Sequence, residues 1–216
     1  MRPLAALLLS LACSRADLVL VQQVEGGGQS GKQTIRIKGG QSRADLADSM
    51  SLITDGASGD AFALRHADKT FVKISPAQGK ALLEQFAKRR GNAPPPALKP
   101  AGKTEKVGDY DCDIFTCDLG GLTVTYWLAK NFPDYAVIQE QLAAVQSGAL
   151  ALGTQGLLPD PKKFPGMTMK TEMDLGGKKV ATTTVSVKQE AVDPYLFKVP
   201  GNYKETPLLE PKPAEK

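Results

Sequence analysis

KQTIRIK, at residues 32–38, decides the fold of this 216-residue chain. Its two isoleucines, Ile35 and Ile37, alternate with basic residues, so a strand here has one apolar face and one charged face. A sheet with one face in water and the other on a core is typical of antiparallel architectures. The stretch therefore predicts an antiparallel sheet that buries one of its faces.

Strand-like runs continue outward from this stretch, separated by short turns rich in Gly, Ser and Asp. They lie at residues 17–24, 42–48, 50–54, 60–66, 69–75, 105–119, 122–130, 166–175 and 178–192. Short turns without long helices between the runs are the pattern of an antiparallel meander. A proline-rich segment, residues 91–102, is interpreted as an extended loop over the surface of a single domain.

Two amphipathic helices interrupt the strands. The first follows Ser75, which forms a capping box with Gln78, and it ends at the basic residues 88–90. The second covers residues 134–152, and its apolar stripe is formed by Ile138, Leu142, Val145, Ala149 and Leu152. Helices inserted into a sheet must cover one of its faces. The predicted fold class is α+β, mainly β: a curved antiparallel sheet, or unclosed β-barrel, with the two helices on its concave face.

Residues 1–16 have the features of a secretory signal peptide. A basic start is followed by an apolar run too short to span a bilayer, and the small residues Ser14 and Ala16 precede Asp17. We therefore expect cleavage before Asp17, a single domain over residues 17–205 and a disordered tail over residues 206–216. The expected location is the periplasm or the exterior of a bacterial cell.

Cys13 leaves a second processing route open, because residues 10–13 (SLAC) are similar to the lipidation motif of bacterial lipoproteins. That motif requires a Leu-like residue where Ser10 stands. Lipoproteins also have a polar tether after the cysteine, whereas here a strand pattern begins almost at once. A freely diffusing exported form is therefore favoured over an outer-membrane lipoprotein anchored through Cys13.

Charge and composition argue against two classes of partner. The 27 basic and 23 acidic residues are interspersed, whereas nucleic-acid binding needs a concentrated basic face. After Asp17, no apolar run approaches membrane-spanning length. We therefore expect neither a nucleic-acid partner nor a transmembrane segment in the mature chain.

Two cysteines, Cys112 and Cys117, lie in one strand-like run. Their spacing along a strand places them on opposite faces and too far apart for a disulfide unless the segment turns. They are interpreted as two buried or half-buried free thiols.

The sequence carries no recognisable catalytic constellation. GGGQSGKQ, at residues 26–33, resembles a phosphate-binding loop, but Gln33 replaces the required hydroxyl residue and a strand follows in place of a helix. His66 is the only histidine, and no G-x-S-x-G motif accompanies it. Residues 26–33 are therefore interpreted as a hairpin turn, and His66 as a residue of a turn or strand end. We expect no enzyme activity.

Three carboxylates, Asp109, Asp111 and Asp113, alternate along a strand-like run with a spacing similar to the start of a calcium-binding loop. Ile114 stands where such a loop requires glycine. A solvated strand face is therefore favoured over a weak calcium site, and no metal or cofactor is expected.

Met167, Met169 and Met173 alternate with polar residues and are predicted to share one face of a strand. Two uses of this face are open: core filler beneath the second helix, or flexible lining for an apolar ligand. In the second case the helix completes the lining with Ile138, Leu142 and Val145.

Two segments carry a resemblance to a known family. They are GKTEKVGDYDCDIFTCDLGGLTVTYWLAKNFPDY at residues 102–135 and YLFKVPGNYKE at residues 195–205. Together with the order of the elements, they resemble the exported bacterial family DUF4412, which is similar in fold to the LolA/LolB-type lipoprotein carriers. The resemblance implies an unclosed barrel whose helices line a hydrophobic cavity, and periplasmic handling of acylated or otherwise hydrophobic molecules. It implies no catalytic residues.

The sequence-based hypothesis is an exported cell-envelope protein that holds a lipid, an acyl chain or another hydrophobic ligand in a groove between sheet and helices. The alternative is a structural or protein-interaction module with a filled core and no ligand, whose partner is another envelope protein.

Overall fold

The fold was obtained as a computed structural model. It describes residues 16–27, 30–90, 96–119, 121–145, 159–174 and 176–208. Within the two helices, the side chains of Leu83, of residues 86–90, of Ala144 and of Val145 lie outside this description.

The described residues form one twelve-stranded sheet and two α-helices. The strands are β1 (Leu18–Gly26), β2 (Gly31–Lys38), β3 (Gln41–Leu46), β4 (Met50–Asp55), β5 (Ala61–Arg65), β6 (Thr70–Ile74), β7 (Lys99–Val107), β8 (Tyr110–Asp118), β9 (Thr123–Ala129), β10 (Met167–Asp174), β11 (Lys179–Gln189) and β12 (Lys204–Glu205). The helices are α1 (Pro76–Arg90) and α2 (Tyr135–Val145). The structure is therefore mainly β, as the alternating pattern predicts.

The strand order is β12-β6-β5-β4-β3-β2-β1-β11-β10-β9-β8-β7. Strands β1 to β6 form one antiparallel meander and β7 to β11 a second one, and the antiparallel pairing of β1 with β11 joins the two. Only the short β12 runs parallel to its neighbour, β6. Strands β7 and β12 stand at opposite ends of the order and do not pair with each other, so the sheet is not closed into a barrel.

Hydrogen bonds confirm the predicted capping box before the first helix. Gln78 Oε1 accepts from the Ser75 backbone N–H at 2.8 Å, and Ser75 Oγ accepts from the Gln78 N–H at 3.4 Å, which is the capping box expected before α1. Gly31–Lys38 is a strand, so the glycine-rich segment before it opens no helix and the phosphate-loop interpretation is excluded. Helix α2 is described only to Val145, and residues 146–152 of its predicted span lie outside the described residues.

Three boundaries differ from the sequence-based prediction. Strand β7 begins at Lys99, inside the segment interpreted as a surface loop. Gly108 has a φ of +59° and forms a turn with Asp109, so residues 105–119 are divided between two strands. The predicted tail also begins within the fold: the Thr206 N–H donates to the Phe71 carbonyl at 2.8 Å, and Leu208 packs against the buried residues of β5 and β6. Residues 209–216 of that tail lie outside the described residues.

Two apolar clusters hold α2 and the second meander in place. Cluster 1 contains Leu18, Leu20, Ile37, Val107, Cys112, Trp127, Ala129, Ile138, Met167 and Met169. Cluster 2 contains Cys117, Val124, Tyr126 and Leu128. Because Trp127 and Leu128 are consecutive in β9, these clusters lie on opposite faces of that strand. Cluster 1 draws its side chains from both meanders and from α2, so it connects the two parts of the sheet.

Asp17, which directly precedes β1, is held by three hydrogen bonds. Its Oδ2 accepts from Lys38 Nζ at 2.6 Å and from the Val192 backbone N–H at 2.9 Å, and its carbonyl accepts from the Glu190 N–H at 3.0 Å. Neither helix, over the residues described, is long and apolar enough to cross a membrane.

The turn before β10 depends on a glycine. A Cβ at Gly166 would lie 2.4 Å from the Ala129 carbonyl oxygen, at the end of the paired strand β9, and 2.7 Å from the nitrogen of Lys130, which follows that strand. We expect Gly166→Ala to lower the free energy of unfolding by about 1–3 kcal/mol, measured by urea denaturation. Gly201→Ala is the matched control, because nothing lies within 4 Å of a Cβ there. Equal stability of the two variants would contradict this packing.

Candidate functional site

Most of the side chains predicted to line a site between helix and strand are packed in cluster 1. Ile138, Met167 and Met169 are 3%, 2% and 5% exposed and belong to cluster 1, and Leu142 packs against the same cluster. Four of the six predicted lining residues are thus brought together, while the side chain of Val145 lies outside the described residues. Their low exposure favours the core-filler interpretation of these methionines.

Met173 does not share the face of Met167, contrary to the prediction from alternation. The register between β10 and β9 shifts between Thr168 and Lys170, so that Met169 is an extra residue opposite β9. Beyond this bulge Met173 pairs with Val124 and packs against cluster 2. A one-residue shift moves every following side chain to the other face, which is why regular alternation fails here.

Trp127 and Cys112 are buried members of cluster 1. The indole Nε1–H of Trp127 donates to Glu105 Oε2 at 2.8 Å, and Lys170 Nζ lies 4.4 Å from the centre of the ring. Cys112 is fully buried, and burial raises the pKa of its thiol. Cys117 is buried in cluster 2, on the opposite face of β8. Both cysteines are buried on opposite faces without a disulfide between them, as predicted, and a raised pKa makes Cys112 a poor nucleophile.

The three aspartates are not gathered into a cation site. Asp109 lies in the turn between β7 and β8, and only Asp111 and Asp113 lie in β8. Asp113 Oδ2 forms an ion pair with Lys130 Nζ at 2.5 Å. In the described part of the chain, no three His, Cys, Asp or Glu side chains are placed to hold a metal ion.

An open cavity lies elsewhere, between the start of β2 and the turn that joins β3 to β4. It has a volume of about 520 Å³, and we call it the rim pocket. Its lining residues are Val24, Ser30, Gly31, Lys32, Gln33, Leu46, Ala47, Ser49, Met50 and Thr182. Leu46 and Met50 are direct partners across β3 and β4, and they are 37% and 39% exposed. The pocket therefore presents two large apolar side chains to solvent.

The rim pocket lies on the same face of the first meander as part of cluster 1. Leu18, Leu20 and Val24 stand at alternate positions of β1, and the register with β2 is unbroken from Leu18 to Val24. The first two belong to cluster 1 and the third lines the pocket. One sheet face thus carries a closed core at one end and an open pocket at the other.

His66 takes part in a partly buried polar network that the sequence did not reveal. The hydroxyl of Ser51, which is fully buried, lies 2.8 Å from His66 Nε2 and donates to Asp45 Oδ1 at 2.5 Å. Because the single hydroxyl proton goes to Asp45, Ser51 Oγ accepts from His66 Nε2, and His66 Nδ1 lies 2.6 Å from the Tyr203 hydroxyl. His66 and Tyr203 are 137 residues apart, so no local pattern signals this contact.

The network fastens the C-terminal segment to the sheet. Arg43 Nη2 donates to Ser51 Oγ at 2.8 Å, and its Nη1 donates to the Leu196 carbonyl at 2.9 Å. Asp45 forms ion pairs with both Arg36 and Arg43. A serine beside a histidine occurs in hydrolases, but here the carboxylate binds the serine rather than the histidine, and Ser51 has no exposed surface. The arrangement is a structural clamp.

The pKa of Asp45 reflects its surroundings. Burial by itself raises the pKa of this carboxyl, but the hydrogen bonds from Ser51 and Arg43 and the charges of Arg43 and Arg36 outweigh it and hold the pKa below its ordinary value. Asp45 therefore remains ionised wherever the sheet is folded at neutral pH.

The profile of a protein family, described as a domain of unknown function (DUF4412), matches residues 21–203. The chain belongs to the DUF4412 family. The prediction of this family from residues 102–135 and 195–205 is therefore confirmed. No curated protein matches the sequence of this DUF4412 chain.

Solved structures show weaker likenesses to the DUF4412 chain. The lipoprotein LppX of Mycobacterium tuberculosis is 11% identical with a TM-score of 0.41, over 82% of this chain and 88% of that one. A LolA superfamily protein from Nitrosomonas europaea is 10% identical with a TM-score of 0.31, over 86% of this chain and 91% of that one. PNGF-II is 11% identical with a TM-score of 0.44 over 89% of this chain, which spans 31% of the length of PNGF-II. All three TM-scores lie below 0.5.

The network around Asp45 makes the stability of the DUF4412 domain depend on pH. A carboxyl whose pKa is lower in the folded state stabilises it fully above the unfolded pKa, near 3.9, and this contribution is lost as the pH falls through the folded pKa. At pH 6 we expect Asp45→Asn to cost about 2–3 kcal/mol in urea denaturation, because Arg36 and Arg43 lose their partner. The difference from the wild-type protein should shrink when the measurement is repeated near pH 3.

Asp68→Asn is the control, because the Arg65–Asp68 pair is exposed to solvent. It should change the midpoint little at either pH. A cost for Asp45→Asn that is the same at pH 6 and pH 3 would contradict the stabilising role of this carboxylate.

Proposed function

We propose that this DUF4412 protein is an exported protein of the bacterial cell envelope that binds a hydrophobic ligand, a lipid or an acyl chain, in the rim pocket. The proposed function is binding without a chemical step.

The observation that carries the proposal is the pair of exposed apolar side chains at an open cavity. Leu46 and Met50 leave more than a third of their surfaces in contact with solvent, and with Val24 they line a volume of about 520 Å³. Cavities of roughly 300–1,000 Å³ are typical of small-molecule sites. Each methylene group of an acyl chain buried there contributes about 0.8 kcal/mol. Met50 is also unbranched and polarisable, which suits an adaptable contact with a flexible chain.

The polar part of the lining favours an amphiphile over a purely apolar molecule. Gln33, Ser49 and Thr182 supply hydrogen-bonding groups, and the exposed Lys32 supplies a positive charge. No acidic residue lines the pocket over the residues described. A carboxylate or phosphate at the head of an acyl chain matches this arrangement, because the chain can rest on Leu46 while the head stays near water and Lys32.

The rim pocket replaces the groove beneath α2 as the proposed ligand site. The buried side chains of cluster 1, among them Ile138, Met167 and Met169, pack against one another. A ligand beneath α2 would have to displace this packed core. The rim pocket needs no such displacement.

Export is proposed from the leader-like residues 1–16, which lie almost entirely outside the described residues, as does Cys13. Support comes from Asp17, whose carboxylate is held by hydrogen bonds directly after the expected cleavage point. We propose the periplasm or the exterior of the cell as its location, in a form that is not lipidated at Cys13.

A protein-interaction module is the second candidate, and the filled cluster 1 favours it. Strand β7 is a sheet edge exposed along almost its whole length, and a strand of an envelope partner would add to such an edge. However, Lys99, Lys103 and Lys106 stand along β7, together with Pro100. Lysine and proline are the residues that protect edges from pairing, so this candidate ranks below ligand binding.

A charge placed in the rim pocket tests the proposal. We expect Leu46→Glu and Met50→Glu each to weaken binding of a fluorescent long-chain fatty acid by at least about tenfold, because an acyl chain would then face a carboxylate. Val185→Glu is the matched control, since Val185 is 55% exposed and lies outside the pocket. Fatty-acid binding that is absent from the wild-type protein, or that survives both pocket substitutions, would rule out this site.

A further inference from the structure

Gln141 of α2 contacts Ala16, the residue directly before Asp17. Its Nε2 donates to the Ala16 carbonyl at 2.7 Å, which is the carbonyl of the peptide bond that precedes Asp17. Its Oε1 is buried and has no hydrogen-bond partner among the described residues. A buried acceptor without a donor costs free energy, because it has lost water and gained nothing in exchange.

Asp17 is held in place without help from Ala16. Its carboxylate binds Lys38 and the Val192 N–H, its carbonyl binds the Glu190 N–H, and the residue is 9% exposed. Ala16 itself is exposed. The Asp17 nitrogen is bonded to the Ala16 carbonyl carbon, so it stays next to the Gln141 amide when the residues before it are removed.

We propose that Gln141 is the receptor for the α-ammonium group that forms at Asp17 when the chain is cleaved after Ala16. In that hydrolysis water adds to the Ala16 carbonyl carbon, the C–N bond breaks, the carboxylate leaves with residues 1–16 and the Asp17 nitrogen becomes an ammonium. The Gln141 amide loses the Ala16 oxygen as an acceptor and gains a neighbour with three N–H donors. Oε1 then accepts from the ammonium and is no longer unsatisfied.

The inference rests on the export part of the proposed function, and it gives cleavage a structural consequence. In the uncleaved chain, α2 keeps one buried acceptor without a partner among the described residues. In the cleaved chain, the new N-terminus ties β1 to α2, the helix that carries Ile138 into cluster 1. Removal of the leader thereby exchanges the bond from Gln141 Nε2 to Ala16 for a bond from the new N-terminus to the buried Oε1.

A carboxylate at position 141 distinguishes the two forms of the chain. We compare the full-length protein with its product after cleavage by signal peptidase, each with and without Gln141→Glu. In the full-length form a carboxylate would face the Ala16 carbonyl, and the melting temperature should fall by about 2–4 °C. In the cleaved form the carboxylate meets the ammonium, and the melting temperature should hold or rise. The same fall in both forms would overturn the inference.

A second measurement needs only the cleaved protein. An ammonium held by Gln141 reacts slowly with an acylating reagent, so Gln141→Ala should speed acylation of the Asp17 α-amine several-fold, while Gln141→Glu should slow it. Gln23→Ala is the control and should leave the rate unchanged. Equal rates in all these variants would refute the docking. A mature chain that begins elsewhere than Asp17 would refute the cleavage on which it rests, and fatty-acid binding at the rim pocket, measured on the same samples, reports on the ligand proposal separately.

Discussion

A single register shift in β10 decides which of its methionines join each core cluster. The extra residue at Met169 places Met167 and Met169 in cluster 1 and sends Met173 to cluster 2. Strands β10 and β11 pair with each other only from Lys170 onward. Before Lys170, β10 pairs only with β9, and the end of β11 pairs only with β1. Cluster 1 joins side chains from both sides of this separation, with Ile138 of α2 among them. The methionines thereby become part of the core, and the open volume lies at the opposite end of the first meander.

The first meander has a polar clamp on one face, and a closed core and the open rim pocket on the other. One face of the first meander is held by the clamp of Arg43, Asp45, Ser51 and His66, which fastens residues near the C-terminus. The other face is closed near Leu18 and Ile37, and open near Leu46 and Met50. Apolar groups left in water are a cost that folding alone does not require. A ligand that covers Leu46 and Met50 gives that exposure a function.

The sequence predicted the strands and helix starts well, because alternation, turn residues and caps are local signals. The alternation at Ile35 and Ile37 predicted the antiparallel meander, and the capping box of Ser75 and Gln78 predicted the start of α1. The bulge at Met169 left no such signal, since MTMKTEM alternates without interruption and its register is set by pairing with β9. For the same reason the contact of His66 with Tyr203 and the rim pocket were missed: each joins residues that only the tertiary fold brings together.

Binding of a hydrophobic ligand in the rim pocket is tested most directly by the methyl groups of the methionines. Met50 lines the rim pocket, Met167 and Met169 lie in cluster 1, and Met173 packs against cluster 2. In a protein labelled with ¹³C at the methionine methyl groups, titration with a long-chain fatty acid should shift the NMR signal of Met50 and leave those of Met167 and Met169 in place. Shifts confined to Met167 and Met169 would put the ligand beneath α2 and contradict binding in the rim pocket.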